Sequence, residues 1–382
     1  MNNRKTRKNG RCLWGRPIFG KIRIMLIFIA CAMILTNLNL PTTTWAKPYF
    51  EGKTITILIG FSAGGGVDLS GRILAKYMGD HIPGNPTVIA KNMAGASSIK
   101  AHNFVFEKAK ADGQTLFYGP WFPVSQITNA PGIRFRYEDF TLIGALREPG
   151  RLLYIRTDAV PGGFKKGSDV MKAKNLKFAG QNPYNTFDLH GRLTLDLFNL
   201  EYVYVTGYRG SAKIRPAILE NEVNVATDSL RGYRSHVEPA MVKTGKVAPL
   251  WSCPIKNDDG NYVQNPDLAE VPTFIDVHRE VFGKDPSGPT WEALDLVMTL
   301  TGVMSHTVLG PPNMNDEVKA ILRKAFIETV SSKPYFDDSF KAFDSVSKSL
   351  PLTIGNKIIA GLPNIDPKLV EWLKDHIASG AK

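Results

Sequence analysis

Three loops carry residue types suited to holding an anion. The first, Phe61-Ser62-Ala63-Gly64-Gly65-Gly66-Val67-Asp68, follows the β-branched run Thr54 to Ile59 and leads into a segment with Leu69, Ile73, Leu74, Tyr77 and Met78 at helical spacing. Glycines let backbone N–H groups turn toward one point, and the helix that follows adds the positive end of its dipole. Gly95-Ala96-Ser97-Ser98 is a second helix start, with hydroxyl donors, and Tyr208-Arg209-Gly210-Ser211 is a third, with a cation. Two such N-termini facing one cleft would hold the two ends of a dicarboxylate, with Arg209 or the serines completing the hydrogen bonds. Each loop also has a plain alternative: a tight turn for the glycines, helix capping for Ser97 and Ser98, a solvated charge for Arg209. Nucleotides fit poorly, because neither G-x-G-x-x-G nor a P-loop is present, no Lys follows the glycines, and Asp68 would repel a triphosphate.

Other residues stand near these loops. Trp121, just after the strand Leu116 to Tyr118, is either an apolar wall of the cleft or core packing. Tyr184, Asn185 and Thr186, ahead of a helical pattern, offer ligand hydrogen bonds or simply start the helix, with Thr186 as cap. Asp68 could accept a ligand ammonium, but the favoured reading is that it complements the dipole of its own helix. The seven histidines are scattered, with no HExxH, and no metal or cofactor is expected. Asn257-Asp258-Asp259-Gly260-Asn261 lacks the ligand pattern of a calcium loop and reads as a turn. Without a G-x-S-x-G elbow or a placed acid–base pair, an enzyme is not expected. Cys253, next to the apolar Val247 to Trp251, reads as a buried, inert thiol.

The elements that must position these residues alternate. Strand-like runs at 54–59, 87–90, 116–118, 152–155, 176–179, 202–205 and 223–226 are separated by helical patterns, which predicts two α/β lobes, each a mainly parallel sheet flanked by helices. A further helix is expected near Phe274 to Phe282, within the Pro- and Gly-rich stretch Pro254 to Pro289. The 382 residues, 43% hydrophobic and 21% charged, exclude collagen-like, coiled-coil and disordered chains.

The net charge of +12 is misleading, because eight Lys and Arg lie in the first 23 residues and no acid precedes Glu51. Ile24 to Leu35 is uncharged and apolar, and Thr44-Trp45-Ala46 resembles a cleavage site, so residues 1–46 read as a secretory signal peptide cut after Ala46. The apolar run is short for a membrane span, and the sequence before Cys31 is a poor lipobox, so retention and lipidation fit less well. From Lys47 onward the net charge falls to +4, and the case for nucleic acid goes with it. Cys253 is then the one cysteine left, and no intramolecular disulfide can form.

The loops at Phe61–Asp68 and Asn92-Met93-Ala94-Gly95-Ala96, with Asp112-Gly113-Gln114-Thr115-Leu116, together resemble the substrate-binding proteins of tripartite tricarboxylate transporters, the Bug family. Gly180, His190, Gly207-Tyr208-Arg209-Gly210, Asp228 and Val271-Pro272-Thr273 follow in the order of that family's motifs. The resemblance implies a two-lobed periplasmic binding protein, type II-like, with the ligand cleft between the lobes. It divides the chain into a first lobe over 47–152, a second over 153–252, and a return to the first with C-terminal helices over 253–382. It further implies a monomer that closes on a small organic acid and delivers it to membrane permease subunits; presentation of the ligand to a signalling partner is the alternative. The ligand loops then match Ser62 to Asp68 and Asn92 to Ser98. Two departures stand out: Ser97-Ser98 replace the usual glycines, and Phe274 to Ser305 is longer than usual.

Overall fold

The computed structural model describes residues 47–147, 150–257 and 261–379; the leader over 1–46 and the Asp258-Asp259-Gly260 part of the expected turn lie outside the described residues. Strand β1 (Thr54–Ile59) shows why the first sheet forms: Ile57 and Ile59 face one core and Leu58 the opposite one, the period-two alternation of a strand buried on both sides. Each such side chain contributes about 1.5–3 kcal/mol by leaving water. β1 pairs in parallel with β2 (Thr87–Asn92) and β3 (Thr115–Pro120), and β4 (Thr141–Arg147) lies further across the same sheet. The chain then crosses to a second sheet, built from β5 (Arg151–Arg156), β6 (Leu176–Ala179), β7 (Tyr202–Val205), β8 (Val225–Ser229) and β9 (Val247–Ser252) in the order β7-β6-β8-β5-β9. A short hairpin follows, β10 (Ile255–Lys256) with β11 (Tyr262–Val263). Finally β12 (His306–Gly310) and β13 (Lys348–Leu350) complete the first sheet, whose order is β13-β4-β12-β3-β1-β2.

Both sheets are mixed, which corrects the expectation of mainly parallel ones. The strand–helix alternation produces only the parallel part, β2-β1-β3 in one sheet and β7-β6-β8 in the other. The remaining strands pair antiparallel: β12 with β3 and β4, β13 with β4, and β5 with β8 and β9. These are the strands that enter and leave each sheet where the chain crosses over, so no helix dictates their direction.

The helices follow the apolar periodicity. They include α1 (Gly66–Met78), α2 (Ile99–Lys108), α3 (Pro123–Ile127), α4 (Thr186–Leu197), α5 (Ser211–Leu219), α6 (Phe274–Phe282), α7 (Pro289–Val303), α8 (Asp316–Ser331), α9 (Lys333–Phe343), α10 (Leu352–Gly361) and α11 (Pro367–Ser379), and a further helical stretch, Leu230–Gly232 running into the π-helix Tyr233–Val242, follows β8. α6 coincides with its expected range and is held by a capping box between Thr273 and Asp276.

The return to the first lobe comes later than residue 253. Phe274, Ile275, Ala293, Leu294 and Val297 join the core under the second sheet, so α6 and much of α7 pack there, and the chain re-enters the first sheet at β12. α11 also sits on the second core, through Leu373 and Ile377. Residues from Pro48 on form one compact unit.

Candidate ligand-binding site

β1 delivers the first glycine loop to the carboxyl end of the sheet. α1 starts there with Gly65 as its N-cap, and no side chain bonds to the helix's free N–H groups. In the second lobe α5 starts the same way: Gly210, at φ 114°, is its N-cap, again with no side-chain cap. Only a glycine holds that backbone angle readily.

These two N-termini open onto one cavity. Phe61, Ser62, Gly65, Gly66 and Val67 line it from the first lobe; Arg209, Gly210, Ser211 and Ala212 line it from the second. The lobes approach closely here, since a Cβ on Gly210 would lie 3.7 Å from the Phe61 ring and one on Gly66 would lie 3.9 Å from the Gly232 nitrogen.

Charge at the cavity is uneven. Arg209 is exposed and, among the described residues, has no ion-pair or hydrogen-bond partner. Arg215 also lines the cavity but is committed: its Nε and a terminal nitrogen donate to Asp228 Oδ2 at 3.1 and 2.9 Å, with both groups buried. Asp228 therefore orients Arg215, and its other oxygen accepts the Ser229 N–H. Asp68 is likewise engaged. Burial works to raise its carboxyl, but bonds from Arg72, the Gly64 N–H and Asn92 outweigh that and hold it below the usual carboxylate range. It staples the glycine loop and is not open to a ligand ammonium.

Several expected residues fall elsewhere. The second loop is outside the cavity: Asn92 donates to the Phe61 carbonyl and to Asp68, tying the two first-lobe loops together. Ser97 Oγ accepts from Asn182 at 2.6 Å and from Asn185 at 3.1 Å, making a lobe-to-lobe contact. Ser98 is fully buried, and its hydroxyl meets His102 Nδ1. Gly95 and Ala96 form the strained entry to that turn, while Ala63 and Gly64 lie off the cavity wall. Trp121 is core: it is buried, and its indole donates to the Leu300 carbonyl. Tyr208 turns away to Glu222 at 2.5 Å. Asn185, rather than Thr186, caps α4, while Tyr184 packs against the second core and accepts Ser125 at its carbonyl.

Arg215 and Phe187, which also line the cavity, were missed. A signal for Arg215 existed, because the acid Asp228 on the buried strand β8 requires a buried cation. Nothing in the sequence marks Phe187, which reads as an ordinary core position. Among the described residues no group of three or more His, Cys, Asp or Glu could hold a metal. Burial pushes the Cys253 thiol up to about 12, so it is unreactive at neutral pH.

No family model matches the sequence. A curated protein of Pseudomonas sp. (strain P51), the UPF0065 protein in the tcbD-tcbE intergenic region, is 25% identical over 260 residues, covering 66% of this chain and 70% of its own length. Among solved structures, MatC from Rhodopseudomonas palustris with bound malate aligns over 85% of this chain and 99% of its own, at a TM-score of 0.61 and 20% identity. The periplasmic binding protein BugD aligns over 85% and 97%, at a TM-score of 0.62 and 17% identity. The fold is that of the Bug-type periplasmic binding proteins. The Bug-type resemblance carried by the glycine loop and the Gly207–Gly210 turn thus extends to the architecture. In this binding-protein fold the cavity lies between the two sheets, at the ends of β1 and β7 where the loops to α1 and α5 begin.

Proposed function

We propose that this is an exported solute-binding protein that captures a small organic di- or tricarboxylate between its lobes by hinge closure. It then delivers the ligand to the permease subunits of a tripartite tricarboxylate-type transporter. The observation that carries this reading is a cavity faced from both lobes by helix N-termini that begin at glycines and have no side-chain cap, with Arg209 beside them. First-turn N–H groups and a guanidinium both favour carboxylate oxygens. The bound malate in MatC agrees with that chemistry. The basic, apolar leader supports export to the periplasm. Closure follows from a ligand that bridges the lobes, because contacts from both sides exist only when they approach.

A thermal-shift series with di- and tricarboxylates, aromatic acids and acidic amino acids tests the reading. Ligand at 100 times its Kd stabilises by about 2.7 kcal/mol, a midpoint shift of a few degrees. A response limited to the di- and tricarboxylates is expected; a response to the aromatic acids alone, or silence across the panel in ligand-free protein, refutes it. Arg209→Ala is expected to weaken binding by about 1.5–3 kcal/mol. Unchanged affinity on calorimetry removes Arg209 from the site.

A further inference from the structure

Ser97, in the loop between β2 and α2, keeps its backbone at φ 46° and ψ 49°, a left-handed conformation that favours glycine. Strain of this kind persists only where surrounding contacts hold it, and it asks for a reason. What Ser97 does there is accept two hydrogen bonds from the second lobe, from Asn182 Nδ2 at 2.6 Å and from Asn185 Nδ2 at 3.1 Å. A glycine would keep the turn and lose both bonds.

Both amides are held in place before they reach the first lobe. Asn182 Oδ1 accepts the Tyr184 N–H at 2.9 Å, and Asn185 Oδ1 accepts the Phe187 N–H at 2.8 Å as the cap of α4. Each oxygen is thus committed to its own loop, which fixes the end of the amide that faces Ser97: the NH2 group, which can only donate. Asp188 anchors the same loop from within, its Oδ2 accepting the Gln181 and Asn182 N–H groups and the Tyr204 hydroxyl. Asn185 is 1% exposed, so its bond to Ser97 is made away from water, where a hydrogen bond is strongest. Gln181, next to Asn182, lines the cavity between the lobes, which places this contact at the cavity wall.

We infer that Asn182 and Asn185, with Ser97 as their shared acceptor, form a latch that holds the two lobes together and slows ligand release. Every group in the latch belongs to the chain, so it stabilises the closed form whatever acid lies in the cavity. The three are positioning residues: they set how long a ligand is held, not which one. The inference rests on the closure reading above and adds to it the contact that sets the lifetime of the closed form.

Ser97→Gly tests it, because glycine suits the backbone angle and only the side chain is removed. Calorimetry and stopped-flow kinetics with malate are the measurements. The variant is expected to bind malate about 5- to 50-fold more weakly than the parent, mainly through faster dissociation, with a melting temperature within a few degrees. Asn182→Ala is expected to act in the same direction, and the double variant should lose less than the product of the two single effects, because Ser97→Gly already removes the Asn182 bond. A Ser97→Gly protein whose malate affinity and dissociation rate stay within about twofold of the parent overturns the inference. So do two single effects that multiply independently, since a shared contact cannot be lost twice. Where malate binds neither protein, small-angle X-ray scattering without added ligand decides the latch apart from the carboxylate reading. A larger radius of gyration for Ser97→Gly than for the parent supports it, and equal radii overturn it.

Discussion

Ala96, Ser97 and Ser98 are consecutive non-glycine residues at φ 47°, 46° and 76°, all in the left-handed region. For L-residues each such angle costs about 1–2 kcal/mol. The resemblance expects glycines at the end of this loop, and the backbone here keeps a conformation that glycine would hold without strain. Two of the three side chains offset the strain by what they bond: Ser97 receives Asn182 and Asn185 from the other lobe, and Ser98 meets His102. Ala96 has no such compensation. Ala96→Gly is therefore expected to raise the unfolding free energy by about 1 kcal/mol in a urea titration, the relief slightly exceeding the added entropy of the unfolded chain. An unchanged or lower midpoint would show that the loop relaxes in some other way.

Helix starts decide the site. α4 is capped by Asn185, so one of its first-turn donors is already satisfied, whereas α1 and α5 begin at glycines that offer no side chain. Those two ends are the ones that open onto the cavity. At Gly65 an added Cβ would meet nothing closer than the Ser62 carbonyl at 3.9 Å, and its backbone is extended at φ −91°. Gly65→Val can therefore fold, but its branches stand over the N–H groups that face the cavity. The expected result is a carboxylate affinity at least about tenfold lower with a melting temperature within a few degrees of the parent. Normal binding would reduce the glycines to a turn. The presence of these helices was legible in the apolar periodicity, as was the suitability of the glycine loops for anions. Which starts remain uncapped was not, because Asn185 and Thr186 are both competent caps and only the backbone geometry chose between them.

Across the whole molecule, both lobes depend on buried imidazoles. His102 lies between Phe117 and Phe135 in the first lobe, and burial lowers its pKa to about 4 against the small opposing effect of the Ser98 carbonyl. His376, on the second core, is lowered to about 4 by burial and by Arg192. For such a group the unfolded chain binds the proton first, so its stabilising contribution is complete above the ordinary histidine range and is lost as pH falls from 6.5 toward 4. Asp188 works the other way. Burial raises its carboxyl to about 7 against donors from Tyr204, Gln181 and Asn182, so its contribution is lost as pH rises through 7. Comparison with a variant separates these effects. Between pH 7 and pH 5 the unfolding free energy of the parent should fall by about 2 kcal/mol relative to His102→Gln. Parallel curves for the two proteins would mean that His102 titrates normally. The sequence by itself determined the alternating α/β plan and the glycine loops, because periodicity and glycine freedom are properties of neighbouring residues. Only the tertiary structure decided that Trp121 is core, that Asp228 holds Arg215 and that Ser97 spans the lobes. Each of these depends on which distant segments share one desolvated space, and local spacing does not encode that.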